Sequence, residues 1–166
     1  FVASEPASGI ELWKSDGTTA GTQLVRDILP GGGPSLPLDL VPALGFVWFS
    51  ADDGVTGHEL WRSDGTTTTL VADVDPTGSS GARPLGVVSN GTVVGLELWA
   101  SSGTPATTFL VKDIDPGFAP SSFPLPLAGA ANNKMLLSAE ASASGREPYI
   151  TDGTPAGTLL LGDINS

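Results

Sequence analysis

Cysteine is absent from all 166 residues, which excludes disulfides, thiolate metal sites and cysteine nucleophiles together. Bases are scarce: seven Lys and Arg face 18 acids, for a net charge of −11 and an isoelectric point near 4.1. A nucleic-acid backbone therefore meets no electrostatic footprint, and nucleic acid is not an expected partner. Charged residues make up 15% of the chain against a norm of about 25%. That excludes a coiled coil or a helical bundle with a charged surface. No apolar run approaches the roughly 18 residues that span a membrane. No initiator methionine and no signal peptide open the chain, and its first residues read as a strand; a processed or partial chain is the expectation.

What the chain does have is turn-forming residues and repetition. Its 22 Gly and 14 Pro amount to 36 of 166 residues, well above the usual share of about 12%. The 40% of apolar residues still suffices for a core. Self-similarity accounts for much of the pattern. Glu11-Leu12-Trp13-Lys14-Ser15-Asp16-Gly17-Thr18 returns as Glu59-Leu60-Trp61-Arg62-Ser63-Asp64-Gly65-Thr66. It returns again as Glu97-Leu98-Trp99-Ala100-Ser101-Ser102-Gly103-Thr104, and more loosely as Glu147-Pro148-Tyr149-Ile150-Thr151-Asp152-Gly153-Thr154. Each copy leads to an apolar stretch ending in Asp and an aliphatic residue: Asp27-Ile28, Asp73-Val74, Asp113-Ile114 and Asp163-Ile164. Gly9, Gly57, Gly95 and Gly145 sit two before each Glu, and Phe1, Phe49, Val87 and Leu137 sit ten before it.

The third copy follows the second by only 38 residues, from Glu59 to Glu97. About eight residues are missing between Asp75 and Val87, which predicts that the third unit lacks its leading strand. A full unit reads as four strands, over Ser35–Val41, Phe46–Ala51, His58–Ser63 and Thr69–Val74, separated by Gly and Asp turns. Helical periodicity is missing throughout. Short strands in repeats of about 48 residues describe an all-β chain: a β-propeller, or a segment of one, with four-stranded antiparallel blades. The expected organisation is one repeat domain over 1–166 with units near 1–28, 29–75, 76–115 and 116–166, the first incomplete and the third shortened.

The motif residues read first as structure. Asp16, Asp64 and Asp152 suit a turn in which the carboxylate takes backbone N–H groups, with Gly17, Gly65, Gly103 and Gly153 supplying positive φ. Ser102 should do a weaker version of the same work in the third copy, and Thr18, Thr66, Thr104 and Thr154 can satisfy further turn groups. The composition is similar to the Asp-box turns of sialidase-type propellers. Trp13, Trp61, Trp99 and Tyr149 are expected to pack between blades, with a platform for sugar rings as the alternative. For Glu11, Glu59, Glu97 and Glu147 a repeated internal partner is expected, such as the N–H groups of the adjacent turn or a paired cation; a ring of acids around a channel is the sharper alternative.

Metal and catalytic signals are thin. Asp73 with Asp75, and Asp113 with Asp115, pair carboxylates at a strand end, an oxygen donor set suited to calcium. Leu29 and Asn165 replace the second acid in the other two units. Calcium is thus the one candidate cofactor. His58 is the only histidine and reads as an exposed strand residue. Arg26, Arg62, Arg83 and Arg146 occupy unrelated repeat positions, so no sialidase-like arginine cluster is expected. No nucleophile elbow, Walker loop, zinc helix or dinucleotide fingerprint occurs. Asn90-Gly91-Thr92 is a formal glycosylation sequon.

The combination E-L-W-x-S-D-G-T, then G-T-x-L-V-x-D-I, a Ser-x-Pro, and F-x-A-D-D-G-x-x-G resembles the bacterial ELWxxDGT repeat, also called hyalin-like. The match runs nearly letter for letter over residues 11–28 and 46–66. The resemblance implies large secreted or cell-surface bacterial proteins whose tandem units fold as β-propellers, and implies little about chemistry. The expectation is a non-enzymatic extracytoplasmic scaffold or protein-interaction and adhesion module, with other proteins or further segments of a larger chain as partners. Recognition would use loops such as Ala51–Gly57 and Ala139–Gly145. A carbohydrate-binding or sialidase-like glycan-processing propeller is the alternative, and calcium-stabilised adhesion a third reading.

Overall fold

A computed structural model describes residues 1–88, 91–94, 97–116 and 122–164. Among them the chain is all β, apart from a single 3-10 turn at Pro105–Thr107. Asn90 of the sequon, together with Gly95 and Asn165, lies outside the described residues.

Four antiparallel sheets follow one another, each made of consecutive strands. Sheet one holds β1 (Val2–Glu5), β2 (Gly9–Lys14) and β3 (Gln23–Arg26). Sheet two holds β4 (Leu38–Ala43), β5 (Phe46–Asp52), β6 (His58–Ser63) and β7 (Thr68–Ala72). Sheet three holds β8 (Pro84–Val88), β9 (Gly91–Val94), β10 (Leu98–Ser101) and β11 (Thr108–Lys112). Sheet four holds β12 (Leu125–Ala131), β13 (Lys134–Ala141), β14 (Gly145–Thr151) and β15 (Leu159–Leu160). The chain divides into two compact units, residues 1–83 with sheets one and two, and residues 84–166 with sheets three and four.

The third repeat keeps its leading strand, against the sequence expectation. β8 pairs with β9, so the sheet has its four strands. Part of the shortening lies in the strands, with β9 of four residues where β5 has seven and β8 of five where β4 has six, and part in the turn Ser63–Thr68, two residues shorter than Ser15–Thr22. This also corrects the alignment of Val87 with Phe49. Phe49 lies opposite Trp61 and Leu137 opposite Tyr149, whereas the backbone partner of Trp99 is Val94; Val87 belongs to the strand before.

Two strand boundaries move for physical reasons. β4 begins at Leu38 rather than Ser35, because the Ser35 N–H is drawn to a carboxylate and Pro37 has no N–H for a ladder. β7 ends at Ala72 rather than Val74, because the Val74 N–H is likewise taken by a side chain. A register shift recurs at Leu12/Trp13, Leu60/Trp61 and Leu98/Trp99, so each of these sheets bulges at one repeat position and twists more strongly there.

Each unit buries apolar residues between its two sheets. In the first, Leu12 and Ile28 pack with Phe49, Ala51 and Trp61. In the second, Leu98, Val111 and Ile114 pack with Leu137, Ala139 and Tyr149. The inward residues of β13, Met135, Leu137 and Ala139, alternate as the pleat requires. Burying one such large side chain stabilises the fold by about 1.5–3 kcal/mol.

Candidate functional site

Glu11, Glu59 and Glu97 share one geometry, and Glu147 has part of it. Glu11 Oε2 accepts the N–H of Ile28 at 3.2 Å, while Oε1 accepts the N–H of Ser35 at 3.1 Å and the Ser35 hydroxyl donates to Oε2. Glu59 accepts from Val74 N–H at 3.0 Å and Ser80 N–H at 2.8 Å. Glu97 accepts from Ile114 N–H at 3.1 Å and Ser122 N–H at 2.7 Å, and from the Ser122 hydroxyl at 3.2 Å. Glu147 accepts from Ile164 N–H at 2.9 Å, and its Oε1 is buried without a partner. Glu11, Glu59 and Glu147 have no solvent exposure. Among the described residues the donors are thus not in the adjacent turn, nor is a cation the partner. They lie where the chain leaves the last strand of a sheet and in the linker beyond it. Burial pushes the Glu59 carboxyl above its ordinary value, against the opposing pull of the Val74 and Ser80 donors.

The linker serine of this clamp was legible only as the Ser-x-Pro of the repeat. Its local geometry is strained: Leu36, between Ser35 and Pro37, has φ of 49°, and Phe123, between Ser122 and Pro124, has φ of 39°. A left-handed non-glycine residue costs about 1–3 kcal/mol and persists where the surroundings enforce it.

The turns are a second repeated device. Asp16 and Asp152 each accept the N–H and the hydroxyl of the Thr two residues on, and Asp64 accepts the N–H groups of Thr66 and Thr67. These donors hold all three carboxyls below the ordinary aspartate value. Gly17, Gly65, Gly103 and Gly153 have φ of 92°, 84°, 106° and 83°. Ser102 does not take over in the third copy; the Thr104 N–H instead meets the Thr107 hydroxyl at 3.2 Å, within the 3-10 turn. The sequence reading also missed a hydroxyl pair that closes every copy: Ser15–Thr22, Ser63–Thr68, Ser101–Thr108 and Thr151–Thr158, at 2.7–2.9 Å. The first member of each pair also accepts the N–H of the turn glycine at 3.0 Å.

Trp61 and Tyr149 are buried in the cores of their units, whereas Trp13 and Trp99 are half-buried. Cations pin neighbouring sheets within each unit. Arg26 donates to the Thr68 carbonyl and lies 5.6 Å from the Trp61 ring centre; Lys112, at the same repeat position, donates to the Thr158 carbonyl.

The acid pairs at the strand ends do not converge. Asp75 accepts from the N–H and hydroxyl of Thr77, and Asp115 from the N–H and hydroxyl of Ser142, while Asp73 and Asp113 are exposed. Among the described residues no three His, Asp or Glu side chains gather as a metal would require. His58 is half-buried rather than exposed, with Nδ1 shielded and unpaired. The arginines serve separate local contacts: Arg62 stacks on Phe46, Arg83 pairs with Asp39, and Arg146 with Glu140. Both expected recognition loops are braced, the first within itself and the second from Asp115. Asp53 accepts from Val55 N–H, Thr56 N–H and the Thr56 hydroxyl, leaving Val55 88% exposed. Ser142, in the loop before Gly145, is tied to Asp115. The first unit also has a cleft of about 270 Å³ lined by Phe1, Leu12, Trp13, Val25, Leu40 and Val47.

Among the described residues no helix is long and apolar enough to cross a membrane. Comparison with protein-family models, curated proteins and solved structures finds no match in any of the three.

Proposed function

We propose that this chain is a non-enzymatic segment of a β-propeller of the ELWxxDGT-repeat kind, acting outside the cytoplasm as a scaffold and protein-interaction module. The observation that carries this reading is the clamp. Every motif glutamate is held by a backbone donor at the exit of its own repeat, and Glu11, Glu59 and Glu97 also by a serine of the following linker, so the residues that recur are those that build the blades. Carboxylates held in this way do not supply the free facing pair that a glycan-cleaving site needs. Partners would meet the braced loops at Asp53–Gly57 and Ser142–Ser144, where rigid turns present Val55 and Ala143 to solvent. The carbohydrate-binding alternative draws on one feature, the aromatic-lined cleft beside Trp13.

A photo-crosslinking residue at position 55, with a glycoside-hydrolysis panel and a glycan array run in parallel, separates these readings. The scaffold reading expects one saturable protein adduct that Val55→Asp suppresses, with neither turnover nor glycan capture. Turnover lost in a Glu→Gln variant of the motif, or glycan capture lost in Trp13→Ala, would replace it.

A further inference from the structure

Sheets two and four close their first hairpin with the same turn and with opposite surface chemistry. In sheet four, β12 and β13 are joined by Asn132-Asn133, with φ of 53° and 61°, and Lys134 opens the second strand. In sheet two, β4 and β5 are joined by Leu44-Gly45, with φ of 55° and 80°, and Phe46 stands where sheet four has Lys134. Positive φ at both central positions suits Asn and Gly, whereas the Cβ of a leucine crowds its own backbone there. Leu44 gains no cover in return, since it is 55% exposed. The turn closes with polar residues in sheet four, so an exposed leucine held in this conformation points to a use outside the hairpin.

A second, independent observation lies on the neighbouring strand β6. Arg62 stacks on Phe46 at 4.3 Å from the ring centre and lies 5.8 Å from that of Trp48. Its Nε is shielded without a partner, and among the described residues it donates no hydrogen bond and pairs with no carboxylate. The other arginines are committed: Arg26 to the Thr68 carbonyl, Arg83 to Asp39 and Arg146 to Glu140. In sheet four Ile150 takes the place of Arg62, so the apolar tip and the unpaired cation occur in the same sheet. A shallow cleft of about 510 Å³ opens beside the tip, walled by Pro42, Leu44, Phe46 and Val47 and by the Asp64-Gly65 turn. Oδ1 of Asp64 is taken by the Thr66 and Thr67 N–H groups, and Lys14 donates to the Gly65 carbonyl.

We propose that the tip of the β4–β5 hairpin is a docking surface for a protein segment that carries an apolar side chain next to a carboxylate. The apolar group rests on Leu44 in the cleft, and the carboxylate takes the Nη groups of Arg62, whose charge no acid of this chain offsets. β5 runs from this tip to the Asp53–Gly57 loop, so the surface lies at the opposite end of the sheet from the loop binding proposed above. Loss of one contact is therefore measured apart from loss of the other.

The test titrates a capped Leu-Glu dipeptide, and its Leu-Gln counterpart, into the full 166-residue chain and follows backbone amide shifts by NMR. Saturable shifts at Gly45 and Phe46 are expected at millimolar concentration, with the glutamine peptide weaker by roughly threefold to fivefold. Arg62→Gln should erase the difference between the two peptides. Leu44→Asn should weaken both by roughly threefold or more while the urea midpoint holds or rises, because asparagine suits the turn better. Absent shifts at the tip, equal binding of the two peptides, or a preference for glutamate that survives Arg62→Gln each overturn the proposal. A urea midpoint lowered by Leu44→Asn also overturns it, by making the leucine a brace of the hairpin.

Discussion

Sheets two and four are built on the same motif and differ in how much of it is completed. Around Glu59 both carboxylate oxygens are engaged, β7 runs five residues, and Trp61 shares a buried core with Leu12 and Ile28 of the preceding repeat. Around Glu147 one oxygen is engaged, β15 has two residues, and Leu159, Leu160 and Leu161 are exposed. The turn chemistry is nonetheless alike, with hydroxyl pairs Ser63–Thr68 and Thr151–Thr158 of 2.9 and 2.7 Å. The motif therefore completes its turn from local residues alone, while the clamp depends on chain that arrives more than twenty residues later.

That difference can be broken first at the aromatics. Trp61→Ala should cost about 3–5 kcal/mol by opening a cavity between sheets one and two, and Trp13→Ala clearly less because Trp13 is half-buried. Equal losses in urea unfolding would mean that Trp61 is not an inter-sheet anchor. Glu59→Ala comes next, since it strands two N–H donors, at a cost of about 3 kcal/mol. Glu147→Ala strands one donor, the Ile164 N–H, and should cost about half as much; the ratio of the two, read from denaturation midpoints, is the measurement. Thr158→Val should then remove about 1 kcal/mol by leaving the buried Thr151 hydroxyl short of a partner.

Acid sharpens the comparison between copies. Thr18 and Thr154 hold the Asp16 and Asp152 carboxyls below the ordinary value of 3.8, and the Thr66 and Thr67 N–H groups do so for Asp64. Each contributes stability above its unfolded value that is lost as pH falls through its lower folded value. Glu59 works in the opposite sense: raised above 4.5 by burial, it favours the folded state at low pH and loses that contribution as pH rises through its folded value. Copy three has Ser102 in place of the aspartate. Ser102→Asp should therefore add acid sensitivity below about pH 4, whereas Asp152→Asn should remove some. Melting temperatures across that range test both, and parallel curves for all three proteins would sink the idea.

Much of this was legible in one dimension. The four copies, the strand character of Phe46–Ala51 and His58–Ser63, and the glycine turns follow from patterning and backbone sterics, which act between neighbours. Less visible was the hydroxyl pair, although Ser15, Ser63, Ser101 and Thr151 stand at one repeat position. Its partner lies across a hairpin, seven residues on in three copies and five in the second, so only the folded turn brings the two hydroxyls together. The leading strand of the third repeat was misread because counting residues assigns a gap to one element, whereas the shortening is spread over β8, β9 and the Ser63–Thr68 turn.

The sequence by itself determined the all-β character, the turn positions and the recurrence of an acid, because local sterics and hydrogen bonding within a few residues decide those. Only the tertiary structure decided what the acid holds and which aromatic rings are covered. Those outcomes depend on which sheet packs next to which, and on donors that reach the carboxylate only after the chain has folded back.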